Sequence, residues 1–400
     1  MAGHAFARRP RAAGRRQSLA LAGGVPMEPF PSRPAATVNR MRLRFARPRR
    51  LFRLLAGEWR GARDVSFGTR LKALRNGFSS SSWLLFDLDH NDPADYLPDL
   101  AVRDFGRIRA QFRALNDKLL FARAMTAVGL RCPSLFGFIT GSAVVPFDDS
   151  ADGRDAGAWL ATLVLRVGRV VLKPVAGGFG YGIVFLRDVG GRIEANGVEV
   201  DPATLGSLAS RLDQYLVTEH VRQADYARSI FPATTNTVRI LTLWDRSESR
   251  PFLAAAAHRF GSSRTGLVDN FRDGRGGLSA NVDIATGVLG PATQPADDLT
   301  RVWHERHPDT GAAIAGIAVP HWAETADAAL RAATSFPEAP LVGWDLVVTG
   351  SGPCFIEGNA PPVANVWQVH GGLLRETRSR EFFEAFGLVR RRRRPAERTK

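Results

Sequence analysis

The chain has 400 residues, with 54 lysines and arginines against 39 aspartates and glutamates, a formal net charge of +15. Its 44% apolar and 23% charged content fits a globular protein of two or three packed lobes and excludes an intrinsically disordered chain. No run nears the roughly 18 apolar residues that cross a bilayer as a helix.

Residues 1–60 hold fourteen arginines against Glu28 and Glu58, a net of +12, and residues 389–400 add +6. Residues 61–388 therefore carry −3, so the basicity belongs to the ends. Such ends are expected to be solvated tails that attract anionic surfaces loosely, without specific nucleic-acid recognition. "RRQSLALAGGVP" resembles a twin-arginine export signal, but its apolar stretch is short and no cleavage site stands out. "MRLRFARPRRLFRLLAGEWR" (41–60) has the mix of Arg with Leu, Phe and Trp that lies on an anionic membrane surface, though Pro48 interrupts any helix. A start codon assigned upstream of the true one is the other reading of this beginning. Cys132 and Cys354 are far apart in a cysteine-poor chain and read as packed apolar residues of a reducing cytoplasm. The expected location is cytoplasmic, with a peripheral position at the inner membrane face open through the basic ends.

Residues 107–129 read as a helix. Asn116 would cap a turn that lays Leu120, Phe121, Ala124, Met125 and Val128 on one face, and Gly129 would stop it. "SLFGFIT", "RVVLKP" and "GIVFLRD" read as strands, "RIEANGVEV" as an Asn-Gly hairpin and "ATLGSLASRLDQ" as a helix. "YLVTEHV", "NTVRILTLWD" and "PFLAAAAHRFG" are further strands, and a glycine-rich loop, "NFRDGRGGLSAN", follows. A helix at "ETADAALRAATSF" leads into the hairpin "LVGWDLVVTGSGPCFIEGN". Strands and helices mixed without strict alternation mean an α+β fold.

The stretch "VVLKPVAGGFGYGIVF" places Lys173 before Gly177, Gly178, Gly180 and Gly182. A second strand, not a helix, follows the glycines, which excludes a Rossmann turn; a lysine that precedes them excludes a Walker loop. A kinase glycine loop would carry its lysine on the next strand. What remains is a strand ending in Lys-Pro with a flexible turn whose backbone N–H groups can cover phosphates. On these residues alone, a plain β-hairpin with a surface lysine is equally good.

Downstream, Asp345, Glu357 and Asn359 fall at the ends of the two strands of the last hairpin, with Glu357 and Asn359 on one face. Three oxygen donors so placed suit one or two Mg²⁺ ions that bridge ATP phosphates. An ordinary hairpin with polar ends explains less well why they lie between apolar "CFI" and a rigid "APP" turn.

In this order, Lys118, the Lys173–glycine stretch, "YLVTEHV" and Asp345/Glu357/Asn359 resemble the ATP-grasp superfamily. "NTVRILTL", "VDNFRDGRGGLSANVDIATG", "HPDTG", "VGWDL" and "FIEGN" are most similar to its sugar-transfer-associated branch, related to α-glutamate ligases. The resemblance covers roughly residues 105 to 375 and neither terminus. It implies an ATP-grasp fold, with a nucleotide held between two α+β lobes and a smaller N-terminal region. The expected parts are a basic arm (1–60), an N-terminal helical region (61–160), a small lobe with the glycine flap (161–222), a large lobe with the metal site (223–387) and a basic tail (388–400).

The resemblance also implies roles. Lys118 and Lys173 contact phosphate, beside the flap glycines. Glu219, His220 and Val221 form the adenine hinge, and Asp225 takes the ribose hydroxyls. Asp345, Glu357 and Asn359 match the family's magnesium ligands. The implied chemistry is acyl activation, in which a carboxylate takes the γ-phosphoryl group of ATP and an amine displaces phosphate. Arg239 and Arg259, on successive strands, are the candidate oxyanion stabilisers, followed by Asn270 and the Gly276–Gly277 turn. Arg239, mid-strand in an apolar run, is costly to bury without an anion partner. One departure stands out: D-alanine–D-alanine ligases keep an arginine two residues before the first metal aspartate, and here that position is Gly343.

The expected function is an ATP- and Mg²⁺-dependent ligase that joins a small-molecule carboxylate to an amine or sugar-linked acceptor, in the modification of a glycan or a peptide-like metabolite. The sugar connection comes from the resemblance alone. The alternatives are a small-molecule kinase on the same fold and a non-catalytic nucleotide-binding scaffold in polysaccharide assembly. His370 either lines the acceptor pocket or is a satisfied structural histidine.

Overall fold

The computed structural model describes residues 65–108, 113–141, 143–148, 155–178, 180–271 and 276–390. The expected basic arm and nearly all of the basic tail lie outside these residues.

The described chain opens with helices. Helix α1 (Phe67–Asn76) starts on Ser66, whose hydroxyl accepts the Thr69 N–H, and stops at Gly77, whose φ of 84° suits a residue without Cβ. Helices α2 (Ser80–Leu85) and α3 (Asp99–Ile108) follow, around a small core of Phe78, Trp83, Phe86 and Tyr96 that Val369 of the chain's end completes. Gln368 locks this layer in place: its amide accepts from Leu97 N–H (2.6 Å) and donates to Leu97 C=O (3.0 Å).

The expected helix at 107–129 is divided. Helix α4 (Arg113–Asn116) ends before α5 (Lys118–Ala127). The cap is Asp117, not Asn116, because the Asp117 carboxylate accepts both the Leu119 and Leu120 N–H groups at 3.0 Å. The buried face is Phe121, Ala122 and Met125, while Leu120 and Val128 are exposed.

Two antiparallel seven-stranded sheets carry the rest. The first has the order β2-β1-β7-β3-β4-β5-β6. Its strands are β1 (Leu135–Thr140), β2 (Ala143–Pro146), β3 (Arg169–Pro174), β4 (Val184–Val189), β5 (Arg192–Ala195), β6 (Val198–Val200) and β7 (Tyr215–Glu219). The boundary expected at residue 160 therefore falls inside this unit, because β1 pairs β7 through Phe138↔Leu216 and Ile139↔Tyr215. Asn196 and Gly197 both have positive φ, as the predicted two-residue hairpin needs. Helices α6 (Ala156–Val167) and α7 (Pro202–Ala209) cover one face, with Leu160, Leu172 and Val217 in the core. Gly157 allows their approach: a Cβ there would sit 2.6 Å from the Gly206 Cα.

Helix α8 (Asp225–Ile230) leads to the second sheet, with the order β12-β11-β10-β9-β8-β13-β14. Its strands are β8 (Val238–Asp245), β9 (Arg250–Phe260), β10 (Leu278–Val282), β11 (Leu289–Pro295), β12 (Arg301–His304), β13 (Leu341–Thr349) and β14 (Gly352–Asn359). Helix α9 (Trp322–Ser335) packs Ala328, Ala329, Ala332 and Ala333 against it. All nine residues of β13 are buried, and its bounds put Asp345 mid-strand rather than at a strand end. Short α10 (Asn365–Gln368) and α11 (Thr377–Ala385) close the fold.

Candidate functional site in the cleft between the sheets

Three neighbouring strands set the centre of the site in one row. Arg239 of β8 lies directly opposite Asp345 of β13, and Asp345 opposite Glu357 of β14. The register shifts between Asp345 and Leu346, leaving Ile356 as the extra residue of a bulge that re-aims Glu357 and Asn359. Ile356, Glu357 and Asn359 all line the cleft.

Asp345 is 2% exposed and sits in a double guanidinium grip. Arg239 donates from Nε and Nη2 to its two oxygens at 2.5 Å each, and Arg259 Nη2 reaches Oδ2 at 3.2 Å. Burial raises the Asp345 carboxyl, but the guanidiniums outweigh it and hold the group down to about 2. Arg259 is itself placed by Thr237 Oγ1 (2.6 Å) and Asp269 (3.3 Å), and Asp269 accepts from the Thr237 N–H and hydroxyl. Burial pushes Glu357 above the ordinary carboxylate range, with Asp345 adding to the effect.

The lysines approach from the other side. Lys173, at the end of β3, is 8% exposed, and burial followed by repulsion from Lys118 brings its ammonium down to about 8. Lys118 heads α5; burial also lowers its ammonium, against attraction from Glu357. Its Nζ donates to Gly177 C=O at 2.7 Å, and its backbone N–H donates to Val175 C=O at 3.1 Å. Gly178 and Gly180 line the cleft; Gly177 and Gly182 lie behind them in the same turn. A Cβ on Gly182 would meet the Tyr215 hydroxyl at 2.6 Å, and its φ is +74°. A Cβ on Gly180 would come within 3.4 Å of Asn270 Nδ2, which brings Asn270 to the flap.

Glu219, His220 and Val221 line the cleft where β7 ends. The Glu219 carboxylate is turned to structural use, accepting from Ser134 N–H and hydroxyl at 3.1 Å each. His220 meets the Phe185 ring edge-on at 5.7 Å, and Val221 packs with Val347, Cys354 and Ile356. Asp225 is not among the lining residues; it opens α8, exposed, and pairs with Arg228 at 2.9 Å. His370 is also outside the lining and bonds Ser279 Oγ at 2.9 Å.

Gly343 now has a physical account. It faces Asn359 across the ladder, and a Cβ there would meet Pro362 at 2.7 Å and Trp367 at 3.0 Å. No arginine fits at that position. The guanidiniums come instead from β8 and β9.

The donor set fits a hard divalent cation in part. Glu357 and Asn359 present oxygens to the cleft, although Asn359 Nδ2 donates to Glu357 Oε1 at 3.1 Å. Asp345 would have to share oxygens already held by two arginines. Among the described residues, no group of three or more His, Cys, Asp or Glu side chains is arranged to hold a metal. Lys173, Arg239 and Arg259 line the cleft with the three carboxylates Asp269, Asp345 and Glu357, while Lys118 is outside the lining. Such a site suits a Mg²⁺ that arrives with polyphosphate oxygens better than a bare ion.

The whole cleft measures about 1350 Å³, more than the roughly 300–1,000 Å³ typical of one small-molecule site. Ser79–Ser82, Asp99, Arg103 and Asn365 also wall it. Asp99 holds that wall, accepting from Ser79 N–H (2.7 Å), Ser79 Oγ (2.9 Å) and Ser82 Oγ (3.1 Å). Sequence reasoning missed this wall, and it missed Thr237 and Asp269. The run of four serines was a visible signal; Asp269, next to Asn270, was not separable from loop polarity.

Comparison with known proteins bears on this geometry. The family described as sugar-transfer associated ATP-grasp matches residues 105–381, more than half the chain. Among solved structures, the D-Ala:D-Ser ligase VanG of Enterococcus faecalis is similar at 12% identity over 68% of this chain and 62% of its own, TM-score 0.39. A RimK domain ATP-grasp protein of Sphaerobacter thermophilus DSM 20745 is similar at 11% identity over 70% and 68%, TM-score 0.32. Biotin carboxylase of Campylobacter jejuni is similar at 14% identity over 72% and 52%, TM-score 0.39. The chain thus spans between about half and two thirds of the length of these structures. No curated protein matches in a sequence comparison. The assignment rests on the family match: the chain belongs to the sugar-transfer associated ATP-grasp family.

Proposed function

We propose that the protein is an ATP- and Mg²⁺-dependent ligase that joins a carboxylic acid to an amine through an acylphosphate, in the modification of a glycan or a peptide-like metabolite. The observation that carries this reading is the in-register row Arg239–Asp345–Glu357, with Lys173 and Arg259 in the same cleft. A row of cations and oxygen donors across one sheet face serves a reaction whose charge moves from a phosphoryl group to an acyl oxygen.

In this reading the base rests by the hinge at Glu219, His220 and Val221. The flap glycines and Asn270 cover the phosphates, and Lys118 and Lys173 offset their charge. Glu357 and Asn359 would hold Mg²⁺, with Asp345 alongside, and the charge it would supply is an offset to that of the phosphates. The substrate carboxylate attacks the γ-phosphorus as the bond to the bridging oxygen breaks and ADP leaves. The amine then attacks the acyl carbon, the bond to phosphate breaks, and the nitrogen gives up a proton to the departing phosphate. Arg239 and Arg259 face the oxyanion of that second step and take over the role that Gly343 cannot fill. The serine wall and Arg103 receive the acid or acceptor, and their hydroxyl and cationic character suits a polar, anionic partner.

Hydroxylamine trapping tests the reading. With ATP, Mg²⁺ and pooled carboxylic acids, hydroxamate should form together with ADP. A phosphorylated hydroxyl acceptor without hydroxamate would replace the ligase with a kinase. No ADP above background across a broad acid panel would leave only nucleotide binding.

A further inference from the structure

The segment 267–271, between β9 and β10, lines the cleft over all five of its residues. Two of them lie against the glycine turn: a Cβ on Gly180 would come 3.2 Å from Val268 Cγ1 and 3.4 Å from Asn270 Nδ2. Asp269, between these two, bonds Thr237 and Arg259 instead. Arg259 has only N–H donors, so the Thr237 hydroxyl accepts from its Nε (3.0 Å) and Nη2 (2.6 Å). That hydroxyl then gives its one proton to Asp269 Oδ2 at 2.5 Å. The Thr237 N–H donates to the same oxygen at 2.8 Å, and Arg259 Nη2 reaches Asp269 Oδ1 at 3.3 Å. Every proton in this chain has one direction, and its members are buried: Thr237 and Asp269 are 6% exposed, Arg259 8%.

We propose that Asp269 is a positioning residue that couples the glycine turn to Arg259. When the turn lies over a nucleotide, Val268 and Asn270 hold the segment in place, and Asp269 fixes the guanidinium through Thr237. When the turn lifts, the segment loosens and the guanidinium loses two of its three partners. Asp345, the third, lies mid-strand and moves with the sheet, whereas Asp269 moves with the segment. Coupling of this kind is reciprocal, so damage at Thr237 or Asp269 must also loosen the turn. For the part that Arg259 plays in the chemistry, the proposal rests on the ligase reading above; for the coupling itself it does not.

Two variants of the full chain test this. Thr237→Val removes the bridging hydroxyl with little change of shape. Asp269→Asn keeps an oxygen for Thr237 but sets an N–H₂ group against Arg259. In both, amide hydrogen exchange over residues 175–183 should quicken about threefold or more relative to β8 and β9 of the same molecule. A rise in the turn no larger than that in β8 and β9 would overturn the coupling. With ATP, Mg²⁺, pooled acids and hydroxylamine, hydroxamate formed per ADP should drop about tenfold in Asp269→Asn, as activated acid is lost to water before the nitrogen attacks. An unchanged ratio would overturn the positioning of Arg259 by Asp269. A parent chain that forms no hydroxamate would sink the ligase reading alone, and the exchange measurement would then decide the coupling.

Discussion

Asp345 and Glu357 face each other across one ladder yet stand in opposite electrostatic states. Two guanidiniums hold Asp345 ionised, to about 2, whereas burial and its neighbour push Glu357 up. Substitution should separate their roles. Asp345→Asn leaves Arg239 and Arg259 buried without their shared anion, so stability should fall by about 3–5 kcal/mol in thermal or denaturant unfolding. Glu357→Gln keeps shape and relieves a strained charge, so unfolding should change little while the magnesium dependence of ADP formation is lost. An unchanged magnesium response would remove Glu357 from the metal site. Lys173 gives a pH test. With its free ammonium brought down to about 8, it is partly neutral at pH 8–9. A bound polyphosphate favours the charged form, so nucleotide binding at that pH should take up protons, seen by calorimetry in buffers of different ionisation enthalpy. Lys173→Ala should abolish the uptake, weaken ATP binding and stop turnover.

At the scale of elements, the parts with a strict local signature were legible. Lys-Pro followed by four glycines, the Asn-Gly hairpin and the "VGWDL…FIEGN" pair all appear as expected strands and turns. Strands β10 to β12 were not, because "LSANV" and "LGPATQP" lack alternation and take their strand form from their neighbours, β10 from β9 and β11 from β10 and β12. The α5 start was misplaced by one residue, since Asn116 and Asp117 are both good caps and only geometry shows which carboxylate or amide meets the free N–H groups. Asp117→Ala should cost about 1 kcal/mol in unfolding and weaken ATP binding, because Lys118 is the next residue. Gly182→Ala should destabilise the flap hairpin, and Tyr215→Phe should recover only part of the loss. The hydroxyl contact at 2.6 Å would be removed while the strain of φ +74° remains.

For the whole molecule, the charge split along the chain was readable in the sequence, and so was the α+β class. The serine wall of the cleft was not, because Ser79–Ser82 and Arg103 reach it only once Gln368 and Leu97 lock the first helices onto the chain's end, some 270 residues away. Sequence alone has no local pattern for such a closure. Since that wall begins after residue 64, deletion of residues 1–60 should leave ADP formation near that of the full chain, measured with a coupled assay. A folded but inactive truncation would place the arm in the site.

The pair of hydrogen bonds from Lys118 to Gly177 and Val175 has a kinetic consequence. Helix α5 packs on β14, with Phe121 near Gly358, while the glycine turn belongs to the other sheet. One ammonium therefore ties the glycine turn of one sheet to a helix that packs on the other. On the proposed reading, incoming phosphates compete with the Gly177 carbonyl for that ammonium, and nucleotide entry is an exchange of partners. Its observed rate should level off at high ATP, where release of that tie sets the pace.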